Sequence, residues 1–421
     1  MIRMLKLITV IFFIAVVTIN SQPITGNKII RATAGDYPTL AAAFTAINTN
    51  GVSGHVTLLI DENLNEEGIN LILTRNDFTS TNRVTIRPNV GRTVSLTITN
   101  FSLSGTIEQG LSFTGSSFVT IDGSNAVGGS TRNLTIIGND ATATQAYLIA
   151  VSNNTDNVVI RNTNIFFTAI PSNTSAIAFV GSSDGTLGAP DNILVDNCEI
   201  GEPTRSFRNG ISMFGNNTVN PASGTLSNNI IYSSRRAITS FHIARNIYRG
   251  NTLYIVNPAP DQVFYSGIYI TGSVTNDTTL VENNRILRLD MAAGATVRYA
   301  GGIVIWGNTG VINIVNNFIC GNSFNFGTNL ESRIYGIVFG SATWNGIANI
   351  IYNTIRIDTS SSTGRHAAIG WETNSNATLN ITNNIFFNAR NIATSFIIHY
   401  PVTPGPRSEE HTSELQSRHN L

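Results

Sequence analysis

The chain has 421 residues, of which only 12% are charged, and its formal net charge is zero. Such a composition argues against a nucleic-acid partner and against a membrane anchor that works by electrostatic attraction. The 42% of apolar residues recur with a regular period, which predicts a packed core and not a disordered chain.

The N-terminus has the pattern of a secretory signal. Arg3 and Lys6 precede an apolar run from Leu7 to Ile19, and the small Ser21 suits the residue before a cleavage site. The run is too short to span a bilayer, which disfavours an uncleaved membrane anchor. We therefore predict a signal peptide at residues 1–21 and a protein that is secreted or held at a bacterial cell surface, with no stable membrane span.

Residues 22–55 are predicted to form an N-terminal cap made of a strand and a helix. The strand is Lys28–Ala32, and the helix would have Asp36 or Tyr37 as its N-cap, with Pro38 in its first turn. The apolar positions on one helix face are Leu40, Phe44 and Ile47. Such a helix would cover the apolar interior that a stack of repeats exposes at its end.

Residues 56–400 are predicted to form a stack of β-strand repeats. Short β-branched runs bounded by Gly, Ser, Asn and Asp are typical of strands. The first of them are Val56–Ile60, Val84–Ile86, Val94–Ile98, Val119–Ile121, Leu134–Ile137 and Leu148–Val151.

From about Ala176 to Asn384 a two-part repeat recurs about every 34 residues. Its first part is a small residue, Ile, a variable residue and a large apolar residue, which describes a strand with one buried face. The Ile column contains Ile177, Ile211, Ile268, Ile303, Ile337 and Ile369. The gap between Ile211 and Ile268 is longer, and Ala237-Ile238 partly fills it, so one repeat there is degenerate. Helical solenoids have similar periods, but they need amphipathic stretches with a spacing of 3.6, whereas here the apolar positions alternate.

The second part of the repeat contains a column of asparagines. Asn tolerates the left-handed backbone that a tight bend between strands requires. Its amide can also bond to the equivalent Asn in the next coil, which would build a ladder along the stack. The predicted ladder comprises Asn197, Asn251, Asn284, Asn317, Asn353 and Asn384.

These features resemble a known family. The similarity is to secreted right-handed parallel β-helix proteins with the pectin-lyase-like fold, and it lies in the strand pairs with Asn bends, the strands that begin Gly-Ile, and an N-terminal helix with the sequence Asp36-Tyr37-Pro38-Thr39-Leu40-Ala41-Ala42-Ala43. The resemblance covers roughly residues 28–400 and implies an all-β, right-handed parallel β-helix with an N-terminal capping helix. It implies little about activity, because that fold carries lyases, hydrolases, esterases, adhesins and surface-layer proteins.

Catalytic groups are hard to find in this sequence. The hydrolases of the fold cluster three Asp residues and its lyases combine calcium-binding carboxylates with a basic residue, and neither cluster is evident. Arg249 and Glu282 precede the asparagine column in successive repeats and are expected to form a cross-strand ion pair. The sequence therefore predicts no catalytic residue, metal site or cofactor. Asp122, Asp184 and Asp191 are assigned to Gly-rich turns, and His55, His242 and His366 have no partner at metal-ligand or catalytic-triad spacing.

Cys198 and Cys320 are the only cysteines. They lie about four repeats apart, beyond the reach of a disulfide at roughly 4.8 Å per stacked strand. Both are therefore expected to be buried thiols.

Outward aromatic residues are the better candidates for binding. Tyr269 and Trp306 follow the Ile column by one and three residues in adjacent repeats, and Phe214 shares the position of Trp306. Flat rings on a rigid surface suit stacking against sugars or docking of a partner protein. The alternative is that a long turn covers them.

The end of the chain differs from the rest. Residues 401–406 have the composition of a linker. Residues 407–421 resemble a translated sequencing adapter, and the alternative is a genuine charged tail; in either case they are excluded from the fold.

The sequence favours an exported, non-catalytic surface or adhesin-like β-helix protein that contacts polysaccharide or a cell-surface partner. The alternative is a polysaccharide lyase or glycoside hydrolase with a divergent site. Three or more carboxylates in one cleft would favour the enzyme.

Overall fold

The computed structural model describes 15 stretches of the chain: residues 22–104, 107–143, 145–168, 173–181, 188–215, 222–258, 264–273, 277–290, 299–308, 310–321, 333–340, 345–357, 365–371, 378–388 and 395–399. The predicted signal peptide, the linker and the adapter-like segment lie outside the described residues.

The described residues form a parallel β-solenoid, in which successive coils of the chain stack their strands into three faces. The all-β fold class and the parallel β-helix predicted from the sequence are confirmed. Each coil visits face A, then face B, then face C.

Face A is a 12-stranded sheet of parallel neighbours. Its strands are β1 (Ile24–Ile30), β2 (Val52–Ile60), β5 (Val84–Pro88), β9 (Val119–Asp122), β12 (Val159–Arg161), β15 (Ile193–Asp196), β18 (Gly224–Ser227), β20 (Ile247–Arg249), β23 (Thr278–Glu282), β26 (Val311–Val315), β29 (Ile347–Ile351) and β32 (Thr378–Thr382).

Faces B and C together make a 22-stranded sheet, because one long strand belongs to both. Face B contains β3 (Leu64–Glu67), β6 (Val94–Thr99), β10 (Leu134–Gly138), β13 (Thr163–Phe167), β16 (Glu199–Ile200), the first part of β19 (Ile230–Phe241), β21 (Thr252–Ile255), β24 (Arg285–Leu289), β27 (Phe318–Gly321), β30 (Thr354–Ile357) and β33 (Ile385–Asn388). Face C contains β4 (Ile72–Leu73), β8 (Ile107–Thr114), β11 (Gln145–Ser152), β14 (Asn173–Val180), β17 (Phe207–Phe214), the second part of β19, β22 (Phe264–Ser273), β25 (Tyr299–Asn308), β28 (Arg333–Phe339), β31 (Arg365–Trp371) and β34 (Ser395–His399). Strand β7 (Ser102–Ser104) forms an antiparallel hairpin with β8.

The Ile column runs in register along face C and fills the core. The six predicted isoleucines are directly paired with their neighbours, and Ile149, Ile238 and Ile398 extend the column at both ends and across the long gap. The six predicted members are fully buried. The register predicted from the repeat is therefore confirmed.

The small residue before the Ile column is required by close packing. A Cβ at Gly302 would lie 2.5 Å from the Ile319 side chain and 2.6 Å from the carbonyl oxygen of Gly336. A larger side chain cannot fit there without moving the next coil.

The degenerate repeat is a complete but shortened coil. Ile238 pairs with Ile211 on one side and with Ile268 on the other, so the coil has its own place in the stack. Its strand β19 runs from face B into face C without an intervening turn. This continuous strand brings Arg235 and Arg236 onto face C.

The predicted helix is present as α1 (Leu40–Asn50), which packs on β1, β2, β3 and β4. Leu40, Phe44 and Ile47 are buried on one side, as expected. Its start was predicted wrongly: Thr39 is the N-cap and accepts a bond from the Ala42 amide, because a Thr hydroxyl can satisfy a first-turn N–H. No helix of the described residues is long and apolar enough to cross a membrane.

The left-handed bend and the amide ladder, which were predicted for a single column of asparagines, belong to two successive columns. The left-handed residue of each bend is the first of the pair, for example Asn283 (φ 56°), Asn316 (φ 52°) and Tyr352 (φ 59°). The second residue is buried and makes the ladder. Asn197 belongs to the first column and not to the buried ladder: it is left-handed (φ 51°), its Nδ2 donates to Asn162 Oδ1 of the preceding coil at 2.8 Å, and Cys198 occupies the ladder position of its own coil.

The ladder consists of five amide–amide hydrogen bonds along the axis. In each, Nδ2 of one Asn donates to Oδ1 of the next at 2.9–3.0 Å; the members are Asn229, Asn251, Asn284, Asn317, Asn353 and Asn384. Each of these oxygens also accepts a backbone N–H from the preceding coil, as Asn317 does from Asn284 at 3.0 Å. Asn229 was missed by the sequence reading because it belongs to the shortened coil.

Charges alternate along the outer side of face A. Arg161 pairs in register with Asp122 on one side and Asp196 on the other, and its Nη2 lies 2.8 Å from Asp122 Oδ2. The predicted ion pair between Arg249 and Glu282 is confirmed. Asp122 ends a strand and joins this row, so its assignment to a turn was wrong.

Candidate functional site

The outer surface of face C carries the most unusual side chains of the described part of the chain. Two groups of residues define it. The aromatic ledge is a column paired in register and consists of Phe214, Phe241, Thr271 and Trp306. The cationic patch lies beside it, on strands β17, β19 and β22, and consists of Asn209, Ser212, Arg236, Thr239, Ser266 and Tyr269.

The aromatic ledge is partly open to solvent. Phe214 and Phe241 lie on adjacent coils with their ring centroids 5.3 Å apart and their planes 25° apart, which is a stacked pair. Both rings and that of Trp306 are half-buried. The shared position of Phe214 and Trp306 agrees with the sequence alignment, with Phe241 and Thr271 between them.

Trp306 is held in place by its neighbours. Its ring contacts Phe264 edge-on at 5.3 Å between centroids. A Cβ at Gly340 would lie 2.3 Å from Trp306 Cζ3, so the indole occupies the space that the missing side chain of the next coil leaves free.

Tyr269 is not the bare ring that the sequence suggested. It is only 8% exposed and packs with Val304 and Val338. The Arg236 guanidinium covers one face of the ring, 3.8 Å from its centroid, and Phe241 packs beside it at 5.7 Å. The ring can stabilise this guanidinium by a cation–π contact, but it cannot stack on a ligand without being uncovered.

Arg236 is the central charge of the cationic patch. It pairs in register with Asn209 and Ser266 and is 6% exposed. Burial and the like charges of Arg235 and Arg208 lower its pKa, while Tyr269 opposes the shift. An arginine nevertheless stays protonated at neutral pH, and burying an unpaired cation costs several kcal/mol.

Four buried polar atoms of the cationic patch have no hydrogen-bond partner among the residues that the structure describes. They are Arg236 Nε, Ser266 Oγ, Thr239 Oγ1 and Asn209 Oδ1. By contrast, Ser212 Oγ is bonded to Ser175 Oγ at 3.0 Å. Buried polar groups normally have a hydrogen-bond partner, so it is uncommon to find four without one on three neighbouring coils.

The sequence reading missed this patch, although a signal was available. In a chain with few charges, Arg235 and Arg236 are adjacent within the one shortened repeat, and Arg208 lies in the repeat before it. Their meeting on face C depends on the loss of a turn in β19, and a column alignment does not show where an irregular coil points its side chains.

The carboxylates of the described residues follow a different pattern. No group of three or more His, Cys, Asp or Glu side chains that could hold a metal is found among them. Two acidic residues lie on adjacent coils, in the turns that lead from face C to face A: the Asp191 backbone N–H donates to Asp156 Oδ1 at 2.8 Å. Burial, followed by the charge of Asp191, raises the pKa of Asp156. Asp184 lies outside the described residues.

His55, Cys198 and Cys320 have the surroundings expected of structural residues. His55 Nε2 lies 2.8 Å from Thr85 Oγ1, and burial lowers the pKa of the ring. Cys198 and Cys320 are free thiols, the first buried and the second half-buried. Burial raises the pKa of the Cys198 thiol to about 12, so this sulfur is a poor nucleophile.

Comparison with known proteins gives likeness in fold. No family model and no curated protein matches this chain. Among solved structures, this chain is similar to the GH136 lacto-N-biosidase of Eubacterium ramulus, with 10% identity and a TM-score of 0.43. The match covers 86% of this chain and 64% of that protein, so this chain spans less than two thirds of the length of the lacto-N-biosidase.

Two further solved structures are similar. The surface adhesin PfbA of Streptococcus pneumoniae is 13% identical with a TM-score of 0.38, over 85% of this chain and 87% of the adhesin. The pectin methylesterase of Aspergillus niger is 12% identical with a TM-score of 0.35, over 92% of this chain and 94% of the esterase. These likenesses concern the fold alone.

Proposed function

We propose that this protein is an exported β-helix that binds polysaccharide through the aromatic ledge of face C and does not cleave it. The observation that carries the proposal is the stacked and half-buried pair of Phe214 and Phe241 on a rigid sheet. Export is inferred from the signal-like residues 1–21.

Sugar rings have apolar C–H faces, and aromatic side chains are well suited to contact them. The rings of the ledge are fixed by strand pairing and by the packing of the next coil, so binding orders few side chains. The polar groups of the cationic patch lie next to these rings and can bond the hydroxyl groups of the same ligand.

The ledge can be tested with a matched pair of aromatic variants. The double change Phe214→Ala and Phe241→Ala should weaken binding of the full chain to its polysaccharide by about tenfold or more, because two stacking surfaces are lost. The control is Tyr232→Ala with Tyr254→Ala, which removes a stacked pair on face B (centroids 4.7 Å apart). Binding can be measured by affinity electrophoresis against a panel of plant and microbial polysaccharides.

An equal loss in both double variants, or no binding to any polysaccharide, would contradict the ledge as the contact surface. The same panel should be assayed for release of reducing or unsaturated sugars, with and without calcium. We expect none.

A glycoside hydrolase is the second candidate, and the pair Asp156 and Asp191 is the observation that favours it. An acid whose pKa is raised, beside a second carboxylate, is the pairing that glycoside hydrolysis uses. Sugar release that is abolished by Asp156→Asn would establish the enzyme. Asp156 also caps a turn through its bond to the Asp191 amide, so the Asn variant, which keeps an acceptor oxygen, should fold normally.

A further inference from the structure

The cationic patch contains a buried arginine without an acidic partner. Within the part of the chain that the structure describes, the Arg236 guanidinium lies over the face of the Tyr269 ring and forms no ion pair with an acid. On face A the opposite holds, because Arg161 and Arg249 each pair with an acid on a neighbouring strand. Among the described residues, no acid therefore compensates the charge of Arg236 on the outer surface of the sheet.

The groups around Arg236 are suited to a ligand that carries both charge and hydroxyl groups. Ser266 Oγ and Thr239 Oγ1 can donate or accept, and Asn209 Oδ1 can accept a hydroxyl proton. They lie on coils adjacent to Arg236 or on its own strand, and strands of one sheet are about 4.8 Å apart, so these groups are spaced within the dimensions of one sugar unit.

The patch reaches solvent on both sides. Asn209 and Arg208 are half-buried on one side, and Phe241 of the aromatic ledge is half-buried on the other. A saccharide stacked on the ledge would therefore place its substituents next to the guanidinium. A planar guanidinium with free N–H groups matches a carboxylate or a sulfate in geometry and charge.

We infer that Arg236 is an anion-binding residue, and that the polysaccharide bound on face C carries carboxylate or sulfate groups. This inference rests on the proposed function and adds the chemical class of the ligand. Carboxylate and sulfate share the chemistry that Arg236 recognises, and the experiment below separates them.

The test compares charged oligosaccharides with their neutral forms on the full chain. The carboxylate probe is an oligogalacturonide and its control is the fully methyl-esterified form of the same oligomer; the sulfate probe is dextran sulfate and its control is dextran. The variants are Arg236→Gln, Arg236→Lys, and Arg249→Gln as a control arginine on face A. Calorimetric titration gives each affinity, and circular dichroism checks the fold of each variant.

The parent and Arg249→Gln should bind one charged probe about tenfold or more tightly than its neutral control, the range for hydrogen bonds to a charged group. Arg236→Gln should reduce this ratio to near one, and Arg236→Lys should retain part of it. The probe that shows the preference identifies the anionic group. Equal binding of charged and neutral forms by the parent, or an unchanged ratio in Arg236→Gln, would overturn the inference and leave the ledge proposal intact.

A second measurement separates the two failures. Sodium sulfate should raise the unfolding temperature of the parent more than sodium chloride of equal ionic strength does, and Arg236→Gln should abolish the difference. If no saccharide binds but this difference is present, the anion site stands and the proposed function fails. If sulfate stabilises both proteins equally and no charged saccharide is preferred, the anion site is refuted.

Discussion

Replacing Asn317 by Ala removes one complete rung from the buried ladder. The Asn317 amide nitrogen donates to the Val281 carbonyl at 2.8 Å and to Asn353 Oδ1 at 2.9 Å. Its oxygen accepts the backbone N–H and the side-chain amide of Asn284, at 3.0 and 2.9 Å. The side chain is 1% exposed, so water does not reach these groups in the folded protein.

The expected loss of stability follows from the partners left behind. The buried N–H of Asn284 loses its acceptor, and a buried donor without a partner costs about 1–3 kcal/mol. The Asn284 amide keeps its second bond, to the Tyr248 carbonyl, and Asn353 Oδ1 keeps the Asn317 backbone N–H, so these groups contribute less. Together with the cost of the small cavity that Ala leaves, we expect the free energy of unfolding to fall by about 3 kcal/mol.

Urea unfolding followed by circular dichroism measures this loss, and the midpoint is the safer quantity because a stack of repeats need not unfold in two states. Asn313→Ala is the matched control, since Asn313 lies on the same coil, is half-buried, and has an oxygen that accepts an Asn349 side-chain bond at 2.7 Å. It should cost less than about 1 kcal/mol. Equal midpoints for the Asn317 variant and the parent would refute the argument that the ladder stabilises the stack.

Two further changes test charges on the N-terminal coils and on face A. Hydrogen bonds from Asn89 and Arg92 hold the pKa of Asp61 below its usual value, so the stabilising effect of the Asp61 carboxylate is present at neutral pH and fades as the pH falls below about 5. Asp61→Asn should therefore lower the urea midpoint at pH 7 and make the midpoint depend less on pH between about 5 and 3. An unchanged pH dependence would contradict this prediction. Glu282→Gln should lower the free energy of unfolding by less than about 1 kcal/mol, because its partner Arg249 is largely exposed. Asp122→Asn should cause a larger loss in the same urea assay, because it changes a buried carboxylate that is bonded to Arg161. Equal losses would show that burial does not determine how much these ion pairs stabilise the fold.

The regular part of the fold could be predicted from the sequence because packing leaves it few choices. Each coil buries Ile at one position and a small residue before it, and a Cβ at Gly336 would lie 2.2 Å from the Ile355 side chain. The same geometric constraint returns in every coil, so it is visible as a column of residues. The prediction of the ion pair between Arg249 and Glu282 succeeded for the same reason.

The candidate site could not be predicted in this way because it depends on an irregular coil. Nothing in the sequence around Tyr269 indicates that Arg236 covers its ring, since the contact requires β19 to cross from face B to face C without a turn. The error at Asn197 has a related cause. Two neighbouring columns both favour Asn, and alignment alone does not separate the column with the left-handed backbone from the column that forms the buried ladder.

Cys198 offers a direct test of this division between the two columns. It occupies the ladder position, and its Sγ lies 3.6 Å from the Ile160 carbonyl oxygen and 3.5 Å from that of Asp196. The Asn317 amide nitrogen contacts the two corresponding oxygens, those of Val281 and Val315. Asn at position 198 could therefore make the same bonds and also donate to Asn229 Oδ1, which already accepts the Cys198 backbone N–H at 2.9 Å.

We expect Cys198→Asn to raise stability by about 1 kcal/mol, the net value of one buried hydrogen bond, although Asn is larger than Cys and polar. Cys198→Leu, which adds apolar volume without any donor, should instead destabilise the coil by about 1–3 kcal/mol through overpacking. Urea midpoints of both variants, with Cys320→Asn on β27 as a control outside the ladder, decide the matter. A Cys198→Asn protein less stable than Cys198→Leu would show that position 198 does not have the geometry of the ladder. If Asn raises the urea midpoint at position 198 but not at position 320, then the ladder ends at Asn229 because Cys occupies position 198. The backbone at position 198 would in that case follow the repeat.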